Sequence, residues 1–188
     1  MRDIAKDIID KAACGDLDAF EMIYKEYSAS VYTIALGITR NRQDAEEVTQ
    51  DVFVKIFRKL KGFAFRSSFG TWVYRITANT AVNTYNSRTR RGSNTVRIEE
   101  MDDLPDRSST GPDAPIVQKE EGSKLALVLD ALSPEHRSCI VLREIEGLNY
   151  KEMAGVLRIP VNTVRSRLRR AREALVAALR REGIRHGL

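Results

Sequence analysis

The chain has few of the residues that staple or punctuate a fold. Of its 188 residues, 2 are cysteine, 2 histidine and 5 proline. Cys14 and Cys139 lie far apart with no second ligand pair between them, so neither a disulfide framework nor a zinc site is written here. Both are read as small apolar residues. His136 and His186 belong to no Ser/His/Asp or Cys/His set, and no Gly-rich phosphate loop occurs. No catalytic residue, cofactor or metal ligand is therefore assigned. The longest run without a charge, Tyr27 to Thr39, is 13 residues, whereas a bilayer span needs about 20, so no membrane insertion is expected. The segment Met1 to Asp7 mixes both signs and lacks an apolar signal core. A cytoplasmic protein is expected.

What is present is charge, arranged in order. Thirty-one Lys and Arg against 26 Asp and Glu give +5 overall, with 43% hydrophobic residues to build a core. Resolved along the chain, residues 1–92 carry +4, residues 93–122 carry −5 and residues 123–188 carry +6. The acidic middle holds Pro105, Pro112 and Pro115 and has no helical period. The expectation is a larger domain over 1–92, a flexible acidic linker over 93–122 and a small domain over 123–188.

Both bodies read as helical, and the fold class is all-α. Phe20, Ile23, Tyr24 and Tyr27 recur at three and four behind Gly15 or Asp16, and Val31, Ile34, Ala35 and Ile38 repeat the spacing. Asn41 followed by Asp44 predicts a helix start. Behind it Val48, Val52, Phe53, Ile56, Phe57 and Leu60 form an apolar stripe, which assigns Phe53 and Phe57 to the core. Gly62 is expected to stop this helix, and another runs from Trp72 to Tyr85. In the second body Ser133-Pro134-Glu135 predicts a cap, and Gly147 a stop. Asn149 and Glu152 have capping-box spacing, and Asn162 is read as the cap of a last helix through Val164, Leu168, Ala171 and Leu175. A short helix, the break Arg158-Ile159-Pro160 and a long basic helix fit a helix-turn-helix, with a plain small bundle as the alternative.

Two windows point to nucleic acid. Val52 to Ile98 contains ten basic residues, no acid, and eight of the thirteen aromatics. Cations neutralise phosphates, and ring faces stack unpaired bases, so such a window suits single-stranded nucleic acid. Trp72 and Tyr74 fall on different helix faces, so only part of the set is exposed together. Arg158 to Arg172 contains six arginines and no acid. A merely solvated face would interleave acids, whereas arginines on a recognition helix read guanine and clamp phosphates. Asn162, Thr163, Arg165, Ser166 and Arg169 occupy its first turns. The acids of 44–51 are read as a solvated or partner-facing surface rather than a metal site.

Several stretches in order resemble a known family. Asp44 to Phe53 (DAEEVTQDVF) and Thr71 to Thr80 (TWVYRITANT) are similar to region two of bacterial sigma factors of the sigma-70 family. Leu132 to Arg137 (LSPEHR), Leu142 to Leu148 (LREIEGL) and Thr163 to Arg172 (TVRSRLRRAR) are similar to region four. The absence of a region three resembles the extracytoplasmic-function group, which implies regulation in a stress or envelope response. The resemblance implies a factor that brings RNA polymerase core to a promoter. Asp44, Glu47, Gln50, Asp51, Val54 and Lys55 would then dock on the beta-prime clamp helices of the core, with region four on the beta flap. Arg66, Ser67, Trp72, Arg75, Asn79 and Asn83 would hold the melted single strand of the minus-ten element, where a flipped base costs a few kcal/mol to extrude. Arg143, Asn162, Thr163, Arg165, Ser166, Arg169 and Arg170 would read the minus-thirty-five element as duplex promoter DNA. An anti-sigma factor is an implied partner. The chain departs from the family at Arg158, where glycine often stands, and at Asn162, where glycine or another small residue does. Arg158 asks for a left-handed residue at a cost of about 1 kcal/mol or more, or for a different turn, or else adds a phosphate contact. A stand-alone helix-turn-helix regulator is the runner-up reading. A nucleic-acid-processing enzyme would need an acid or histidine cluster that the sequence lacks.

Overall fold

The computed structural model describes residues 4–91, 129 and 132–181, and among these every regular element is a helix. The linker expected over 93–122 and His186 lie outside the described residues. Helix α1 (Lys6–Ala13) lies against α2 (Leu17–Thr39), which packs on α3 (Arg42–Lys59) and α4 (Phe69–Arg90). A single 3-10 turn, Leu60–Gly62, ends α3 at the predicted glycine. Helix α5 (Pro134–Ile140) runs into a π-turn, Val141–Ile145, then α6 (Tyr150–Leu157) and α7 (Val161–Arg181) follow.

Local chemistry sets most of these boundaries. The Asp16 carboxylate accepts the Ala19 N–H at 3.0 Å, so the aspartate, not Gly15, opens α2. Asn41 accepts from Asp44 N at 2.9 Å, and Ser68 from Thr71 N at 3.1 Å, which starts α4 three residues before Trp72. Ser133 caps α5 with Pro134 at the first helical position. At α6 the capping box is complete: Asn149 accepts from Glu152 N at 3.0 Å, and Glu152 accepts from Asn149 N at 2.7 Å. Each cap contributes about 1 kcal/mol by satisfying an otherwise orphaned donor. Gly147 closes the π-turn at φ +69. Arg158 takes the left-handed conformation, φ 53, at the end of α6, with its N–H on the Ala154 carbonyl.

One assignment is corrected. The last helix begins at Val161, where the Pro160 carbonyl accepts from Thr163 N at 2.9 Å and Val164 N at 3.1 Å. Asn162 is therefore an exposed residue inside the first turn, not the cap. The first helical bonds are accepted by the Pro160 carbonyl, so the helix opens two residues earlier than a cap at Asn162 would allow.

The two basic bodies share one apolar core. Ile34, Ile38 and Val73 belong to the same buried cluster as Val141, Leu142, Met153 and Val156. Helix α5 lies against α2, and α6 against α4. At the first contact Gly37 faces Val141 so closely that a Cβ would stand 2.5 Å from its Cγ2 methyl. At the second, a Cβ on Gly155 would lie 3.3 Å from Thr71 Cγ2. Arg137 bridges the bodies while only 1% exposed. It donates from Nε to the Leu132 carbonyl at 3.0 Å, and from its two terminal nitrogens to the Ile38 carbonyl at 2.7 Å and the Tyr85 hydroxyl at 3.1 Å.

Gly37→Ala is expected to destabilise the chain despite a helix-propensity gain of about 1 kcal/mol, because overpacking typically costs about 1–3 kcal/mol. In a Val141→Ala background the same change should become neutral or stabilising. Urea unfolding of the four-member cycle checks this, with an interaction of at least about 1 kcal/mol expected. Additive effects would mean that the two helices do not meet there.

Candidate nucleic-acid interface

The acidic face of α3 divides in two. Glu47, Gln50, Asp51 and Val54 are exposed, and Lys55 is half-exposed, donating to Thr80 Oγ1 at 3.1 Å. Asp44 is buried: it forms an ion pair with Arg88 of α4 and so ties α3 to α4. Its carboxylate is turned inward, because as the third residue of α3 it lies over the neighbouring helix. Phe57, assigned to the core, is instead 48% exposed. Near the end of α3 it meets Phe20 edge to face, ring centroids 5.1 Å apart. With Val54 three residues before it and Tyr24 beside Phe53, it makes an apolar surface adjoining the acids. The spacing of 54 and 57 was the signal for it. A groove of about 460 Å³ between α3 and α4 joins Glu47, Asp51 and Lys55 to Thr80 and Asn83.

Helix α4 brings Trp72, Arg75, Asn79 and Asn83 onto one stripe, since steps of three and four repeat on one helix face. Asn79 and Asn83 are exposed, as is Arg66 in the preceding loop, and Ser67 is half-buried. Trp72 is half-buried, with ring centroids 5.1 Å from Phe63 and 5.5 Å from Phe69. Phe65 is one of the eight aromatics of the basic window but not among the residues assigned to the minus-ten strand. It is exposed, takes φ 51, meets Phe63 at a tilt with ring centroids 4.7 Å apart and lies under Lys6 at 5.0 Å. The composition of the window marked it; no helical period could place it. Tyr74 points the other way, its hydroxyl donating to Glu146 at 2.8 Å. Arg75 is the exception on the stripe. Its Nε donates to the Gly155 carbonyl of α6 at 3.0 Å. Burial, and then the neighbouring Arg158, lower its pKa.

On α7, Asn162, Arg165, Arg169 and Arg170 are exposed, and Thr163 and Ser166 are half-buried. Ser166 Oγ donates to the Thr163 carbonyl at 3.0 Å. Arg169 pairs with Glu173 at 2.8 Å, and Arg172 with Glu144 at 2.7 Å. Arg143 reaches the same side from the π-turn, with one terminal nitrogen on the Leu148 carbonyl at 2.8 Å. Tyr150 lies between Arg143 and Arg165, ring centroid 5.4 Å and 5.9 Å from their guanidinium carbons. The sequence singled out both arginines but not this tyrosine.

Among the described residues, no group of three or more His, Cys, Asp and Glu side chains is placed to hold a metal ion, and no helix is long and apolar enough to cross a membrane. Cys139 is buried, and burial pushes its thiol up to about 11, the opposite of an activated nucleophile. Cys14 is exposed, which corrects its reading as an apolar filler: it follows the last residue of α1, where the chain turns at Gly15.

Comparison with known proteins agrees with this layout. Residues 23–91 match the family model described as Sigma-70 region 2, and residues 123–175 the one described as Sigma-70, region 4. The chain is 33% identical over 177 residues to RNA polymerase sigma-H factor of Pseudomonas aeruginosa, covering 92% of each. It is 32% identical over 173 residues to the ECF RNA polymerase sigma-E factor of Escherichia coli K12, covering 89% of this chain and 90% of that one. Among solved structures, CnrH in complex with the cytosolic domain of CnrY superposes with a TM-score of 0.68 at 26% identity, over 92% of this chain and 94% of that one. The sigma factor RpoE in complex with the anti-sigma factor NepR from Bartonella quintana shares the fold, with a TM-score of 0.65 at 22% identity over 86% and 96%. With both regions present in order, and relatives matched over about nine-tenths of each chain, the protein belongs to the sigma-70 family of RNA polymerase sigma factors, in its extracytoplasmic-function group.

Proposed function

We propose that this sigma factor, a non-enzymatic initiation factor, works in the cytoplasm through three separate surfaces. The exposed side of α3, from Glu47 to Lys55 with Val54 and Phe57, docks on the clamp helices of polymerase core. Asp44 holds α3 to α4 from beneath. The stripe of Trp72, Asn79 and Asn83, with Arg66 and Ser67, takes the melted minus-ten strand. Arg143 and the first turns of α7 read the minus-thirty-five duplex, and the core's beta flap holds this body in place. The observation that carries the reading is the outer face of α7. Asn162, Arg165, Arg169 and Arg170 stand exposed together, the arrangement a recognition helix needs in a major groove. An anti-sigma factor is the inhibitory partner; the RpoE structure holds a sigma factor in complex with one.

The same reading gives the packing of the two bodies a role. Arg75 belongs to the minus-ten stripe, yet it is spent on the Gly155 carbonyl. Reading both elements at once therefore requires the bodies to part, and polymerase core supplies the surfaces that hold them apart.

Four outcomes are expected. Run-off transcription should start when the purified chain is added to core polymerase with a promoter selected from random DNA. Failure at every promoter would overturn the reading. Glu47→Lys with Asp51→Lys should weaken core binding at least about tenfold without changing the melting temperature. Asp44→Ala should act through stability, costing about 1–3 kcal/mol by unpairing Arg88. Last, Thr71→Cys with Gly155→Cys in a Cys14→Ser background should cross-link under oxidation. The cross-linked chain should be silent in transcription and recover on reduction. Equal activity in both states would show that the bodies need not separate.

A further inference from the structure

The arginines of α7 are restrained in two chemically different ways. Arg169 is tied by Glu173 at 2.8 Å and Arg172 by Glu144 at 2.7 Å, each pair about half-exposed or more. A carboxylate holds a guanidinium but also neutralises it and occupies the donors that a phosphate or a guanine would use. Arg165 has no such partner among the described residues. Its neighbour is the ring of Tyr150, 5.9 Å from the guanidinium carbon to the ring centroid. The same ring stands 5.4 Å from Arg143, which comes from a different element, the π-turn before α6. Arg143 has one further tether, the neutral carbonyl of Leu148 at 2.8 Å. Tyr150 also meets Arg172 through its hydroxyl.

We propose that Tyr150 is a positioning residue for duplex readout: its ring fixes the guanidinium groups of Arg143 and Arg165 as a pair while leaving their charge and donors free. This rests on the reading of α7 as the minus-thirty-five reader. A ring attracts a cation through its quadrupole without taking up an N–H donor. The residue is placed for this. It is the first residue of α6, fixed by the Asn149–Glu152 capping box, and half-buried between the π-turn and the recognition helix. Ordering a long side chain before binding is worth about twofold to tenfold in affinity for each side chain held. Because Arg143 and Arg165 lie on separate elements, the ring also sets their spacing, and spacing is what distinguishes one base step from the next.

The test uses the full chain assembled with core polymerase. Its DNA is a promoter selected with wild-type holoenzyme and the same promoter with the minus-thirty-five element scrambled. Tyr150→Phe keeps the ring and should discriminate between the two within about twofold of wild type. Tyr150→Leu should lose about fivefold to tenfold of that discrimination. The slope of affinity with salt should stay the same, since no phosphate-binding charge is removed. Arg165→Ala should by contrast reduce the salt slope by about one. Its loss of discrimination should largely vanish in the Tyr150→Leu background. Arg165→Lys keeps the charge but not the planar face, and covers the case in which Tyr150→Leu does not fold. It should lose discrimination about as Tyr150→Leu does. The proposal is overturned if Tyr150→Leu discriminates like wild type, if Arg165→Ala costs the same in both backgrounds, or if Arg165→Lys keeps full discrimination. A wild-type holoenzyme indifferent to the scrambled element would overturn the reading of α7 itself, and this proposal with it.

Discussion

The packing of the two described bodies depends on one buried cation. Arg137 is almost wholly enclosed, and its described partners are neutral: two carbonyls, a phenol hydroxyl and the Tyr85 ring 4.5 Å away. A buried charge costs several kcal/mol unless something of opposite sign meets it. The end of α2 supplies that. Ile38 is the last residue but one of this helix, so its carbonyl is one of the four that have no partner within the helix. The C-terminal end of a helix carries roughly half a negative charge. Arg137 therefore satisfies an orphan acceptor and meets a dipole with the same nitrogen. Gly37, one residue earlier, gives Val141 its seat. Polar and apolar contacts between the bodies thus fall on consecutive residues of α2, and neither can shift without the other.

This arrangement is firm at one end and less so at the other. Around Arg137 the contacts are buried and geometrically specific. Around α6 they are a tyrosine on Glu146, an arginine on a backbone carbonyl and a tight methyl contact at Gly155. The two cations there, Arg75 and Arg158, act against each other, and Arg158 already holds a left-handed conformation that costs roughly 1–2 kcal/mol.

What the sequence disclosed was local. The caps at Asn41, Ser133 and Asn149, the stops at Gly62 and Gly147 and the left-handed Arg158 are each decided within a few residues, and each stands where the pattern puts it. The stripe from Trp72 to Asn83 is equally local, being a matter of helical spacing. Three features needed the neighbouring helix. Asp44 sits in an acidic run whose other members are exposed, and only the position of Arg88 turns it inward. Phe57 continues an apolar period but outruns the helix that would cover it. Arg137 is one of 31 basic residues, and nothing in its surroundings in the chain marks it as buried. Cap chemistry is written in the sequence because donor and acceptor are three residues apart. Arg137 and Ile38 are 99 residues apart.

The groove between α3 and α4 links the proposed surfaces mechanically. Glu47 and Asp51 on one wall face Thr80 and Asn83 on the other, and Asp44 with Arg88 closes its floor. Lys55 crosses it, donating to Thr80 and lying 3.9 Å from Asp51. A partner that engages Asp51 draws on the same lysine that steadies Thr80, one residue from Asn79 on the stripe proposed for the melted strand. Under that proposal, core docking and single-strand capture share a side chain rather than a long path through the core. Coupling at this range needs no large movement: a change of partner for one ammonium group alters the field along the stripe. Acids of α3 and Asn83 of α4 therefore line opposite walls of one groove, where two of the proposed surfaces meet.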